Sequence, residues 1–499
     1  MLCYLENSLL NYPEKTAVTD GKVSYTYTEI FEICTAMGTA LCKWVGIGEP
    51  VGIYLEKSAD SVCAMLAAVF AGGFYSVLNT ELPEGRLRDI AGVLSPSVIV
   101  TDENFKSQAE KTFCNSRIVT VNELRLCKPD FEKLHSIRER CIDTNLLYVN
   151  FTSGSTGIPK GIAVSHRSVI DFIDCFTETF NITDSDIIAN QAPFDFDVSV
   201  KDIYSALKVG ATLTVIPRAL FSKPAVLADF LCEQRVTTMI WAVSALCLMT
   251  AFHTLDYKTP ATVDKILFSG EVMPYKALTE FRKHLPDALY VNLYGPTEIT
   301  CNCTYFILDN NTDYSSGIPI GKPFLNEDAF LLGDDNNLIS ECGRKGEICV
   351  RGTALAMGYY CSEKQTESCF VQNPLNSRYK ELIYRTGDLG RYDENGNLVF
   401  CGRKDFQIKY MGHRIELEEV ERSMSEVDGV EQCCCVFDER RGRLKGFYVG
   451  SIEKGELHSK MKKSVPAYMI PGILRKIDEM PLTKNGKTDR KRLAESDGK

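Results

Sequence analysis

Short apolar runs alternate with amphipathic stretches from the start of the chain to about residue 300. Residues 145–151 (NLLYVNF) are a continuous apolar run bounded by a Gly/Ser/Thr segment and read as a buried strand, with a second short strand at 161–164. Ser165 suits the N-cap of a helix whose apolar face holds Val169, Ile170, Ile173 and Phe176. Further apolar runs at 237–243, 265–269 and 289–293 are separated by helical patterns such as 275–284. This alternation predicts layered α/β structure with a largely parallel sheet. The apolar window 62–78 contains Gly72 and Gly73 and is shorter than the ~20 residues a membrane span needs. It reads as a buried helix and turn.

The pattern changes near residue 400. Gly402, Arg403, Lys404 and Asp405 form a polar break, followed by a short helix at 416–424, a Cys-rich strand and a partner strand at 443–449. The last hundred residues read as a small α+β domain. The expected organisation is a large body over 1–402, a hinge at 403–405 and a small mobile domain over 406–499. At about 150 residues per domain, 499 residues allow roughly three units, so the body holds several subdomains, with sheets flanked by helices.

Composition narrows the function classes. The net charge is −10 with both signs interspersed, whereas a nucleic-acid partner calls for a basic surplus. The 20 cysteines are scattered without a Cys-x-x-Cys pair, and Cys433, Cys434 and Cys435 would alternate faces in a strand. They read as reduced core thiols of a cytoplasmic protein. The N-terminus lacks a basic leader followed by an apolar stretch, so no signal peptide is expected.

The densest chemical signal is the run 152–161 (TSGSTGIPKG). Glycines let the backbone approach a phosphate, hydroxyls donate hydrogen bonds and Lys160 adds charge. Its spacing is not that of a Walker loop. Alone, such a loop is more often a flexible connection. It is joined in order by NLYGPTE (292–298), GEICVRG (346–352), YRTGDLGR (384–391), GRKDFQIKYMGHRIELEEVE (402–421) and PLTKNGKTDRKRL (481–493). Together these resemble the motifs of the adenylate-forming superfamily, which includes nonribosomal adenylation domains, acyl-CoA synthetases and luciferases. The resemblance covers nearly the whole chain.

That resemblance implies an enzyme that activates a carboxylic acid with ATP and passes the acyl group to a thiol. It places Thr152, Ser153, Gly154, Ser155, Thr156, Gly157 and Lys160 around the phosphates with Thr297. It places Gly270, Asn292, Tyr294 and Gly295 at the nucleotide, Asn292 by hydrogen bond to the adenine and Tyr294 by stacking. Glu298 is the implied Mg²⁺ ligand, since a hard cation on phosphates needs a carboxylate. Asp388 is the implied ribose clamp, Arg403 reaches ribose or phosphate, Asp405 is the hinge, and Gly412 lies near the thiol path. Lys487 is the implied mobile catalytic lysine; judged by charge alone it would be a solvated surface residue.

The stretch NQAPFDFDVSVKDIY is similar to the D-alanine–D-alanyl carrier protein ligases especially, with free-standing nonribosomal adenylation domains next. By that likeness Asp197 holds a substrate ammonium, within a pocket of Asp197, Val198, Lys201, Ser244, Leu267, Ser269, Leu293, Cys301 and Asn302. The set implies a small, Ala- or Ser-like amino acid. Ser269 departs from the Cys of the D-alanine ligases, which leaves chirality open. Lys201 could pair with Asp197 one helical turn away, read a second substrate anion, or extend to solvent. The implied acceptor is the phosphopantetheine thiol of a separate carrier protein, preferred over CoA because amino-acid recognition and carrier delivery go together in the most similar families, with no nucleic acid and no membrane span. Cell-wall D-alanylation and peptide natural-product synthesis both stay open. An acyl-CoA synthetase for a small non-amino acid is an alternative that Asp197 opposes. A catalytically silent adenylate-binding protein is another, opposed by intact Glu298, Asp388 and Lys487.

Overall fold

A computed structural model describes residues 1–152, 159–405, 407–438, 441–482 and 488–495. The chain divides into two compact units: Met1–Asn79, Leu94–Asn150 and Gly161–Lys404 in one, and Thr80–Val93, Phe151–Lys160 and Asp405–Lys499 in the other. The first is mixed α/β, with sheets flanked by helices.

Among the described residues the largest sheet has nine strands. Its centre is the parallel set Leu289–Tyr294, Lys265–Ser269, Thr238–Ala242, Ile187–Asn190 and Thr212–Val215, side by side in that order. Buried on both faces, these strands read as apolar runs rather than alternating ones. Their side chains still divide by face. Ile240, Leu267, Val291 and Leu293 enter one core. Met239, Trp241, Ile266, Phe268 and Tyr290 enter another.

The crossovers explain the two cores. From Ile187–Asn190 the chain runs through helix Val198–Val209 to Thr212–Val215, moving one way along the sheet. From Thr238–Ala242 it runs through Val243–Ala251 to Lys265–Ser269, moving the other way. Right-handed crossovers in opposite directions place their helices on opposite faces. Accordingly Val200, Ile203 and Tyr204 join the first core, and Val243, Leu246 and Met249 the second. Ile187–Asn190 and Thr238–Ala242 are neighbours whose connections diverge. The carboxyl ends of such a diverging pair are where ligands of open α/β sheets bind.

At the opposite, amino edge Asp186 fastens three strands. It is 2% exposed and accepts from Thr183 N (2.8 Å), the hydroxyls of Thr237 (2.9 Å) and Thr238 (2.6 Å), and Lys265 Nζ (3.0 Å). Burial pushes its carboxyl up, but the Thr183, Thr238 and Lys265 donors outweigh that and hold it below its usual value. Asp186→Ala is expected to cost about 2–4 kcal/mol in urea unfolding at pH 7, by leaving buried donors unpaired. Because the folded carboxyl titrates below the unfolded one, its contribution is present above the unfolded value, near pH 3.9, and is lost as pH falls through the folded one. The penalty of the substitution should therefore shrink in acid.

A seven-stranded sheet carries Leu146–Thr152 and Lys160–Ser165, and a third sheet pairs Gly346–Gly352 with Leu382–Tyr392, which also pairs with Leu398–Arg403. The window expected as helix and turn is a helix, Ala59–Phe70, followed by a strand, Phe74–Val77. The turn at Gly72–Gly73 between them leaves no room for side chains: a Cβ on Gly73 would lie 2.7 Å from the Glu49 carbonyl.

The second unit holds a hairpin of Gln407–Tyr410 and His413–Glu416, helix Leu417–Ser425 and the strands Val430–Asp438, Arg443–Gly450 and Ile473–Lys476. Cys434 and Cys435 point to different clusters, one with Phe447 and Leu493, the other with Met424 and Tyr448. None of the 20 cysteines is in a disulfide. Among the described residues no helix is long and apolar enough to cross a membrane.

Candidate active site

The parallel strands bring the expected residues of the first unit to one edge. Ala242 is level with Ser269, and Ser269 with Leu293. Tyr294 ends its strand one residue later, and Ser244 lies in the first turn of the helix that follows Ala242. Asn292 is buried and donates its amide to Pro319 O at 2.9 Å. Gly270, just past Ser269, has φ +97°.

Beyond Tyr294 the chain makes a tight excursion. Thr297–Ile299 is a single 3₁₀ turn, and Thr300 and Cys301 both adopt left-handed φ, +51° and +74°. Two such residues in a row cost of order 1–3 kcal/mol each, a strain that concentrates at functional sites. Cys303 N then bonds back to Tyr294 O at 2.8 Å. Gly295 is required where the chain returns: a Cβ there would lie 2.5 Å from Asn302 Cα.

Glu298 in this turn is 1% exposed, and its Oε1 accepts from the Tyr359 hydroxyl at 2.8 Å. Its carbonyl accepts from Ala356 N at 2.9 Å. Tyr359 is marked by no motif; the pairing spans 61 residues, and only the edge strand Gly358–Tyr359 brings it there.

Asp388 is 4% exposed, near the middle of Leu382–Tyr392. Its carboxylate accepts from Tyr294 Oη at 2.5 Å and from the Arg403 guanidinium, Arg403 being its cross-strand partner. Thr386, which no expectation singled out, donates to Ile348 O at 2.8 Å and accepts from Asp388 N at 3.0 Å. Burial, then the Asp388 charge, pushes the Tyr294 phenol well above its ordinary range, so it stays a proton donor. Three groups from separate motifs thus form one hydrogen-bonded chain.

Asp197 sits at the N-cap of Val198–Val209, 8% exposed, and makes no side-chain capping bond. Its carbonyl accepts from Cys301 Sγ at 3.0 Å, joining this helix start to the strained loop. Val198 is half-buried. Leu267, Ser269, Leu293 and Asn302 are all buried. Lys201 corrects one expectation. It does not extend to solvent: it is 0% exposed, and its Nζ donates to Asn302 Oδ1 at 2.6 Å. The helix turns its side chain inward, where the Asn302 carbonyl replaces water. Asp202, next along, is also fully buried and bonded to Asn190 Nδ2 at 2.6 Å; burial raises its carboxyl to about 7, against Asn190, Lys201 and Lys57.

Thr152 ends the strand Leu146–Thr152, and Lys160 begins Lys160–Ser165. Ser153, Gly154, Ser155, Thr156 and Gly157 lie outside the described residues, as does Lys487. Asp405 is exposed and accepts from Gln407 N at 3.2 Å; the boundary between the two units falls just before it. Gly412 (φ +78°) follows Met411 (φ +52°) in the two-residue turn between Tyr410 and His413, the left-handed pair such hairpins need.

Comparison with known proteins identifies the family. Residues 5–360 match the AMP-binding enzyme family, and residues 419–487 match the AMP-binding enzyme C-terminal domain. Zwittermicin A synthase ZmaJ of Bacillus cereus is 32% identical over 98% of this chain and 93% of its own. Surfactin synthase subunit 1 of Bacillus subtilis (strain 168) is 32% identical over 98% of this chain, which spans 14% of that relative. The structure of holo-PA1221, an NRPS protein containing adenylation and PCP domains, superposes with a TM-score of 0.84 at 24% identity, over 99% of this chain and 83% of that one. The chain belongs to the AMP-binding enzyme family of the adenylate-forming superfamily, with its likeness to the adenylation domains of nonribosomal peptide synthetases.

Proposed function

We propose that this chain activates a small amino acid with ATP to an aminoacyl-adenylate and passes the aminoacyl group to the phosphopantetheine thiol of a carrier protein. The observation that carries the reading is the position of Asp197. Asp197 is buried at the start of the helix that follows one of two neighbouring strands whose crossovers diverge, and its backbone carbonyl is tied by Cys301 to the strained loop that follows Glu298. An α-ammonium entering there exchanges water for a charged partner in a low-dielectric setting. The small residues Ser244, Ser269 and Cys301 assigned to the pocket suit a short side chain, and Lys201 is held by Asn302, another residue of that set.

The donor set fits a nucleotide. The Asp388 carboxylate accepts the ribose hydroxyls, with Arg403 and Tyr294 fixing its orientation. Asn292 and Tyr294 take the adenine edge and face. Glu298 is the residue that would hold Mg²⁺, which when bound supplies positive charge against the phosphates.

In the first half-reaction a carboxylate oxygen of the amino acid bonds to the α-phosphorus while the bond to the bridging oxygen breaks, and pyrophosphate leaves. Thr297, the 152–157 hydroxyls, Lys160 and Lys487 are assigned to the negative charge that builds on the phosphate oxygens. In the second, the carrier thiolate attacks the acyl carbon and AMP departs with the bonding pair. Asp405 is assigned as the hinge between the two, and Gly412 to the thiol path. The carrier assignment is supported by the adenylation and PCP domains of holo-PA1221.

ATP–pyrophosphate exchange tests the reading. Both enantiomers of Ala and Ser, with Gly, Cys, Asp, Glu and propionate, make the panel. A small amino acid should exceed propionate in kcat/KM by about 100-fold or more, the effect of a buried, hydrogen-bonded charge pair. Exchange with propionate alone would favour the acyl-CoA synthetase alternative. No exchange with any acid would sink the proposal.

A further inference from the structure

We propose that Lys57 is a positioning residue for Asp197, clamping the strand-to-helix loop that delivers this carboxylate to the substrate. The inference rests on the reading of Asp197 as the ammonium ligand.

Lys57 comes from a different sheet, four residues after the strand Pro50–Ile53 and just before Ser58, the N-cap of Ala59–Phe70. Its Nζ donates to three consecutive carbonyls, Asn190 O (3.2 Å), Gln191 O (2.9 Å) and Ala192 O (3.5 Å). In an extended strand successive carbonyls point to opposite sides and cannot share one donor. Their convergence shows that the backbone curls around the ammonium as it leaves the strand. The curl begins the loop that ends at Asp197.

Other bonds hold the same loop further on. The Gln191 side chain accepts from Ala242 N at 3.2 Å, linking it to the next strand's end. Asn79 Nδ2 donates to Asp195 Oδ2 at 3.1 Å. Cys301 holds the carbonyl of Asp197. Lys57 supplies the side-chain donor at the loop's root. A loop without a ladder of its own depends on such bonds, and a shift of ~1 Å in a group that orients substrate can cost on the order of 100-fold. Burial lowers the Lys57 ammonium to about 7, with Asp202 opposing and Arg218 adding to the effect, so the group has given up water for these carbonyls.

The test is ATP–pyrophosphate exchange on the full chain, with the amino acid the wild type activates best. KM for amino acid and for ATP, kcat and the thermal midpoint are measured for Lys57→Met, Lys57→Arg, Asp197→Asn and the Lys57→Met/Asp197→Asn double variant. Lys57→Met is expected to raise the amino-acid KM about 10-fold or more, with ATP KM and kcat within about threefold of wild type. Lys57→Arg, which keeps a multiply donating cation, should return the amino-acid KM to within about threefold. In the Asp197→Asn background Lys57→Met should add less than about twofold, because the two act through one contact. If Lys57→Met does not yield folded protein, Lys57→Gln is used, with the same split expected and smaller. Parallel loss in both KM values, full multiplication in the double variant, or an unchanged amino-acid KM would each overturn the positioning role. A wild type that exchanges with no acid overturns the parent reading and this one with it. A wild type that exchanges while Lys57→Met matches it overturns this one alone.

Discussion

Replacing Glu298 by Gln is expected to slow ATP–pyrophosphate exchange by about 100-fold, mostly in kcat, and to raise the Mg²⁺ concentration giving half-maximal rate. The argument starts from burial. Glu298 is 1% exposed, and a carboxylate that far from water costs several kcal/mol unless charge or hydrogen bonds offset it. Tyr359 supplies one neutral donor. On the proposed reading, a divalent cation with its phosphates would add opposite charge there. Gln keeps the shape and can still accept from Tyr359, so the substitution removes the charge while keeping that bond. Tyr359→Phe tests the complementary half: the charge stays and its orientation is loosened, for an expected loss of about 5–10-fold, near one hydrogen bond's net worth. Exchange by Glu298→Gln within threefold of wild type, at unchanged Mg²⁺ dependence, would remove Glu298 from the metal role.

The strained loop bears on the same prediction. Thr300 and Cys301 in left-handed conformations, with Gly295 pressed against Asn302 Cα, fix the backbone on either side of Glu298. A group held this way can be placed without reorganising during reaction, which is how fixed charges serve developing ones. The motif NLYGPTE marks the place in the sequence, but the strain is carried by ordinary-looking residues after it.

That contrast recurs across the molecule. Runs such as KILFS at 265–269 could be read as buried strands because parallel strands covered on both faces are apolar throughout. Composition and periodicity change together near 403–405, and one boundary between the two units falls at Asp405, but the segments Thr80–Val93 and Phe151–Lys160 of the second unit carry no such signal. Asp388, Tyr294 and Arg403 carry their own local signatures, and the structure joins all three. What periodicity cannot carry is the partner across the fold. Tyr359 reaches Glu298 through a two-residue edge strand too short to show a pattern. Lys57 reaches the loop at Asn190 across 133 residues. Lys201 is polar and, on helical spacing alone, able to reach water. Its inward turn depends on Asn302, 101 residues later. Asp186 looks like any turn aspartate until the strands it fastens are assembled.

Asp197→Ala is expected to lower kcat/KM for the amino acid by about 100- to 1,000-fold, while leaving KM for ATP nearly unchanged. The size follows from what the substitution leaves behind. A substrate ammonium in water keeps its hydration; bound next to alanine at a position only 8% exposed in this chain, it loses water and gains no charged partner. Truncating one partner of a buried, hydrogen-bonded charge pair costs about 2–5 kcal/mol, and the upper part of that range is the penalty on the stranded charge. Propionate separates this from general damage, since it has no ammonium to strand. Its exchange, however weak, should be the same in wild type and variant, and discrimination between amino acid and propionate should collapse toward unity. Lys201 sharpens the point: its cation is bonded to Asn302 in the same buried set, so removing the Asp197 charge leaves the local balance more positive and less hospitable to an ammonium. Equal losses for amino acid and propionate would mean that Asp197 shapes the loop rather than reading the substrate's charge.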